Sequence, residues 1–137
     1  MVVDSSVALT WCFEDEQTPA SLALLEAVVD VGATAPTLWP LEVLNALIMA
    51  ERRRRLDAAQ RQRLTGLLRD LPIVLDNETA AQAWSATVQL AERHRLTVYD
   101  AAYLELAQRR ALPLASLDPE LRAAATAAGV ALVQFAT

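Results

Sequence analysis

Apolar residues are arranged along the chain in two alternating patterns. Short apolar runs bounded by proline, glycine or an acid are separated by longer segments in which apolar positions recur every three or four residues. The first run, Met1 to Val3, ends at Asp4 and predicts a buried strand. Ser5 and Ser6 can cap a short helix through about Phe13. Glu14 to Thr18 is polar, and Pro19 opens a helix through about Val31 that Gly32 stops. Ala33 to Pro36 predicts a second strand. Pro40 starts a helix that runs to an arginine cluster, with Leu41, Leu44 and Ile48 on one stripe and Glu42, Asn45 and Met49 on the adjoining one. Asp57 begins a further helix through about Leu71, Pro72 breaks it, and Ile73 to Leu75 predicts a third strand. Asn77 to His94 is helical, its apolar stripe made of Ala80, Ala83, Trp84, Thr87, Val88 and Ala91. A helix over Val98 to Arg110, a strand over Leu112 to Leu117, a helix over Pro119 to Ala128 ended by Gly129, and a strand over Val130 to Phe135 complete the pattern.

Short apolar strands separated by helices predict an α/β sandwich with a mainly parallel sheet. The chain has 137 residues, which suits a single domain over 1–137 built on one core. In such sheets ligands bind beyond the carboxyl ends of the strands, so the residues found there carry the functional argument.

Composition narrows the chemistry. The chain is 54% hydrophobic, yet no apolar run approaches the roughly 18 to 20 residues of a membrane span. That excess hints at a buried partner surface. The N-terminal MVVDSS lacks a basic region and carries an acid, which argues against a secretory signal. A single cysteine, Cys12, cannot form an internal disulfide, so a cytoplasmic location is expected. The net charge is -5, so a generally basic nucleic-acid-binding surface is not expected. All 12 basic residues are arginine, which excludes lysine-dependent phosphate loops and Schiff bases. The one histidine, His94, excludes two-histidine RNA cleavage and histidine-rich zinc sites. Catalysis here must rest on carboxylates, hydroxyls, arginines or a metal.

Four acids stand where such chemistry is expected, each beside a simpler explanation. Asp4 ends the first strand, and can equally be a helix cap. Asp118 precedes Pro119, the signature of an N-cap and first turn. Asp100 follows Thr97 by three residues, as in a capping box, although its segment LTVYDAAYLELA is otherwise apolar. Glu42 shares a helix face with Asn45, one turn on, and a solvated face would explain both. Yet all four acids can converge at one end of the sheet. Unpaired carboxylates in one pocket repel; a divalent cation relieves this, and oxygen-only donors select hard ions such as magnesium or manganese.

The segments VVDSSV, PLEVLNAL, LTVYDAAYLELA and LPLASLDPELRAAA occur in this order over almost the whole chain. With them the chain resembles the PIN-domain family, specifically the VapC toxins of bacterial toxin–antitoxin pairs. The resemblance implies a three-layer α/β/α sandwich with a Rossmann-like core and a Mg2+-dependent (or Mn2+-dependent) endoribonuclease. It places the catalytic and metal-binding acids at Asp4, Glu42, Asp100 and Asp118, with Ser6, Asn45 and Ser116 in support. Ser116 stands where many relatives have threonine, so a hydroxyl is kept. Glu120 is a further acid beside the site.

The reaction implied is hydrolysis of an RNA phosphodiester by metal-activated water, leaving a 5′ phosphate and a 3′ hydroxyl. Arg52, Arg53, Arg54 and Arg55 are candidates to hold the flanking backbone, or else a solvated helix end. The resemblance also implies a homodimer and a VapB-like antitoxin whose tail blocks the site. Trp11, Phe13 and Trp39 are either part of that partner surface or core. A carboxylate nuclease acting on structured DNA and a catalytically silent binding module are the competing readings.

Overall fold

The computed structural model describes residues 1–134. Its centre is one parallel sheet of β1 (Val2–Val3), β2 (Ala33–Pro36), β3 (Ile73–Asp76) and β4 (Leu114–Ala115), in the order β3-β2-β1-β4. Val2, Val3, Leu114 and Ala115 are wholly buried, which is why these strands are unbroken apolar runs rather than alternating ones. β3 lies at the edge, and Val74 and Leu75 are exposed there.

Eight α-helices flank the sheet among the described residues: α1 (Ser5–Thr10), α2 (Pro19–Val31), α3 (Trp39–Arg52), α4 (Ala58–Arg69), α5 (Thr79–Gln82), α6 (Val88–His94), α7 (Val98–Arg110) and α8 (Pro119–Ala127). The predicted α/β class and parallel sheet are therefore present. α2 and α4 start in full capping boxes, Thr18 with Ser21 and Asp57 with Gln60. Gly32 closes α2 at φ 78°, and an added Cβ would come within 3.1 Å of the Pro72 carbonyl oxygen. α7 is the central helix. Ala101 through Ala107 are all buried, because it packs on the sheet and against α6 and α8 at once.

Several local expectations differ from the structure. The cap of α1 is Asp4, whose Oδ1 accepts from the Val7 amide at 3.2 Å, rather than Ser5 or Ser6. A single 3-10 turn, Glu14–Glu16, occupies the polar stretch after α1. The buried face of α3 is Trp39, Val43, Leu47 and Ala50, while Leu41 is exposed, so the core side is rotated from the predicted stripe. The helix from Asn77 contains a π turn, Ala83–Thr87, between α5 and α6. The wider turn shifts the helical phase, and the predicted stripe splits: Thr87 and Ala91 are buried whereas Trp84 is 88% exposed. After α8 the described residues form one bridge, Leu132 to Leu114, in place of the expected strand; its last residue, Phe135, lies outside the described residues. Trp11, Phe13 and Trp39 are buried, so these aromatics belong to the core and are not a partner surface.

Candidate active site

The strand order locates the crevice. The chain adds β2 and β3 on one side of β1, then returns to place β4 on the other. The order thus reverses between β1 and β4, which is where an open parallel sheet leaves a crevice at its carboxyl edge. Val2 pairs with Leu114 and Val3 with Ala115. The next residues along the two strands are Asp4 and Ser116, and the Asp4 amide still donates to the Ala115 carbonyl at 3.1 Å.

Asp4 is buried at this point and firmly held. Ser6 Oγ donates to its Oδ1 at 2.6 Å, and Ser116 Oγ donates to its Oδ2 at 2.5 Å. Burial pushes its carboxyl above the usual range, while the Ser116, Ser6 and Val7 donors pull it back and the charge of Asp118 raises it. The two serines also order the neighbouring loop, for the Leu117 amide donates to Ser6 Oγ and the Asp118 amide to Ser116 Oγ, both at 3.0 Å. Arg122, which sequence reasoning passed over, donates from Nη1 to the Ser116 carbonyl at 3.0 Å.

Asp118 caps α8, accepting from the Glu120 amide at 2.9 Å. Asp100 stands in the first turn of α7. Only half of the expected capping box forms: Thr97 Oγ1 accepts from the Asp100 amide at 3.1 Å, without the reciprocal bond that completes the boxes of α2 and α4. The Asp100 carboxyl instead meets that of Asp118. Its pKa is pushed up to about 6, by burial first and then by the charges of Asp118, Glu42 and Asp4. Glu42 enters from the first turn of α3. Burial raises its carboxyl, a hydrogen bond from Tyr103 lowers it, and the charge of Asp4 raises it. The four predicted acids therefore share one electrostatic environment.

The supporting and cationic residues divide. Ser6 and Ser116 touch Asp4, whereas Asn45 is exposed on α3 and Glu120 is exposed beside Asp118. Arg52 stands ten residues beyond Glu42, about 15 Å along the α3 axis at 1.5 Å per residue. Arg52, Arg53 and Arg54 are exposed at that far end. Arg55 is engaged elsewhere: its Nη2 meets Asp15 at 2.8 Å and Glu16 at 2.9 Å, and its guanidinium lies 3.9 Å from the Phe13 ring centroid. An apolar groove of about 310 Å³ between α3, α4 and β3, lined by Trp39, Val43, Leu68 and Ile73 among others, includes none of the four acids.

The crevice suits a cation in its donor chemistry. Its carboxylates are oxygen donors whose mutual repulsion a positive charge would relieve. Among the described residues, no group of three or more His, Cys, Asp or Glu side chains forms a ready-made cage for a metal ion. Oxygen donors of this kind suit a hard divalent cation.

Comparison with known proteins bears on this geometry. A family model described as PIN domain matches residues 1–127. The fold is similar to the crystal structure of PAE2754 from Pyrobaculum aerophilum, with a TM-score of 0.67 and 24% sequence identity, over 90% of this chain and 82% of that one. No curated protein sequence matches the chain.

Proposed function

The chain belongs to the PIN-domain family, and from that premise we propose that it is a Mg2+-dependent endoribonuclease acting through Asp4, Glu42, Asp100 and Asp118. Members of this family are generally metal-dependent nucleases that use divalent ions. The single observation that carries the reading is Asp100, whose pKa of about 6 reflects burial together with the charges of the three other acids at the switch point of the sheet.

The residues divide the work. Ser6, Ser116 and the Val7 amide hold Asp4 in a fixed orientation and favour its ionised form. Asp100 and Asp118 project from helix N-termini, where the peptide dipoles favour negative charge. These carboxylates would hold the cation, together with Glu42 from the first turn of α3. A bound divalent ion supplies Lewis-acid polarisation of the phosphate and a water of lowered pKa. Arg52, Arg53 and Arg54, exposed beyond the crevice, would take the flanking RNA backbone. Arg55 is less suited, since its partners Asp15 and Glu16 compete for it.

We also propose a toxin role, with a homodimer and a VapB-like antitoxin as partners, supported by the four motifs of the VapC type. Trp11, Phe13 and Trp39 are buried, and the exposed apolar residues that a partner could meet are elsewhere, at Leu41, Leu67, Val74 and Trp84 among others. No helix among the described residues is long and apolar enough to cross a membrane.

Purified protein incubated with magnesium should cleave single-stranded RNA and spare DNA of the same sequence. Asp100→Asn should reduce the rate on the order of a hundredfold, at the upper end of what loss of even an outer-shell partner costs. Full activity in folded Asp100→Asn would sink the assignment, and equal cleavage of DNA would move the substrate class.

A further inference from the structure

Tyr103 has no role in the reading above, yet it is the largest side chain wholly withdrawn from solvent. It lies one helical turn after Asp100 on α7, so the two share a face. A phenol so deeply buried needs a partner for its hydroxyl. It donates to Oε1 of Glu42 at 2.5 Å, across 61 residues of sequence. The Ser5 side chain, at the start of α1, lies near the same phenol hydroxyl. The directions follow from the groups themselves. An ionised carboxylate only accepts and a phenol has one proton, so Tyr103 donates its hydrogen bond to Glu42, and its oxygen is left able to accept one from Ser5.

Packing does not require this arrangement. A phenylalanine would fill the same space without withdrawing a hydroxyl from water. The hydroxyl instead ties α7 to one acid of the crevice, a glutamate whose side chain has three rotatable bonds to fix. We propose that Tyr103 is a positioning residue: its hydroxyl, steadied by Ser5, fixes the Glu42 carboxylate so that one oxygen is engaged by protein and the other is held for a divalent cation. The inference rests on the reading of the crevice as a cation site, and concerns how Glu42 is kept competent for it.

The test titrates magnesium chloride by calorimetry into wild type, Tyr103→Phe, Glu42→Gln and the double variant, with thermal melts and RNA cleavage alongside. Tyr103→Phe should melt cooperatively and bind magnesium about tenfold more weakly, the usual cost of losing an outer-shell partner. Its kcat should fall by a similar factor with KM for an RNA oligonucleotide unchanged. The double variant should lose no more than Glu42→Gln does, because both substitutions break one link. Wild-type affinity in Tyr103→Phe, or losses that multiply in the double variant, overturn the proposal. If Tyr103→Phe does not fold, Ser5→Ala decides: a smaller loss of affinity supports the chain of hydroxyls, and unchanged affinity overturns it. A wild type that binds magnesium but leaves RNA intact overturns the nuclease reading alone, since the binding titrations still settle Tyr103. A wild type that binds no magnesium overturns both.

Discussion

At Asp100, burial and the charges of three neighbouring acids act in the same direction, and they raise its pKa from 3.8 to about 6. The sign has a consequence for stability. Between roughly pH 4 and pH 6 the folded chain binds more protons at this site than the unfolded chain, so stability falls as pH rises through that window. Asp4 and Glu42 are shifted upward too and add to the slope. In chelator, the melting temperature should decline from pH 4 to pH 6, and Asp100→Asn should flatten part of that decline without lowering stability at pH 7. Thermal denaturation over a pH series reads both. A destabilised Asp100→Asn in chelator would instead show that the side chain acts as a structural cap. Half of the capping box is already present through Thr97, whose bond to the Asp100 amide does not involve the carboxyl.

The same division of labour extends over the whole of α7. Its N-terminal turn delivers Asp100 to the crevice, and its C-terminal turn carries Arg109, which ties the helix to the far edge of the sheet. Arg109 Nη2 meets Asp76 at the end of β3 at 2.5 Å, and its Nε meets Glu105 one turn back at 2.8 Å. Both carboxylates are buried, with side chains only 4% and 5% exposed. Removing the cation leaves two buried charges without compensation, so Arg109→Met should cost about 3 kcal/mol, as when one member of a buried pair is deleted. Urea denaturation checks the magnitude, and an effect within about 0.5 kcal/mol would place Arg109 among ordinary surface residues. The π turn between α5 and α6 shows the reverse case: there the element departs from its sequence pattern, and Trp84 is left outside.

Across the molecule, the net charge of -5 and the gathering of acids at one edge of the sheet pose a single problem. A nucleic-acid backbone would meet repulsion at the crevice until the local charge is neutralised. A cation that binds only the folded state stabilises it by mass action, by about 2.7 kcal/mol at a concentration a hundredfold above Kd. Magnesium at neutral pH should therefore raise the melting temperature of the wild type, chelator should reverse the rise, and Asp100→Asn should diminish it. A melting temperature indifferent to magnesium would separate the acidic crevice from metal binding altogether.

Much of this was legible in the amino-acid sequence because it is locally encoded. Apolar runs marked the four strands, prolines and Gly32 marked helix ends, and caps at Thr18, Asp57, Thr97 and Asp118 rest on neighbours within three residues. The four acids could be named for the same reason, since each lies beside a strand end or a helix start. What local pattern does not contain is who meets whom across long separations. The hydrogen bond from Ser116 to Asp4 spans 112 residues and that from Tyr103 to Glu42 spans 61, and both depend on strand order and on how α7 packs. The commitment of Arg55 to Asp15, the burial of Trp11, Phe13 and Trp39, and the exposure of Trp84 were settled in the same way. Chain propensity acts over one or two turns, whereas a carboxylate's environment is set by every element that closes around it, and that is known only once the elements are packed.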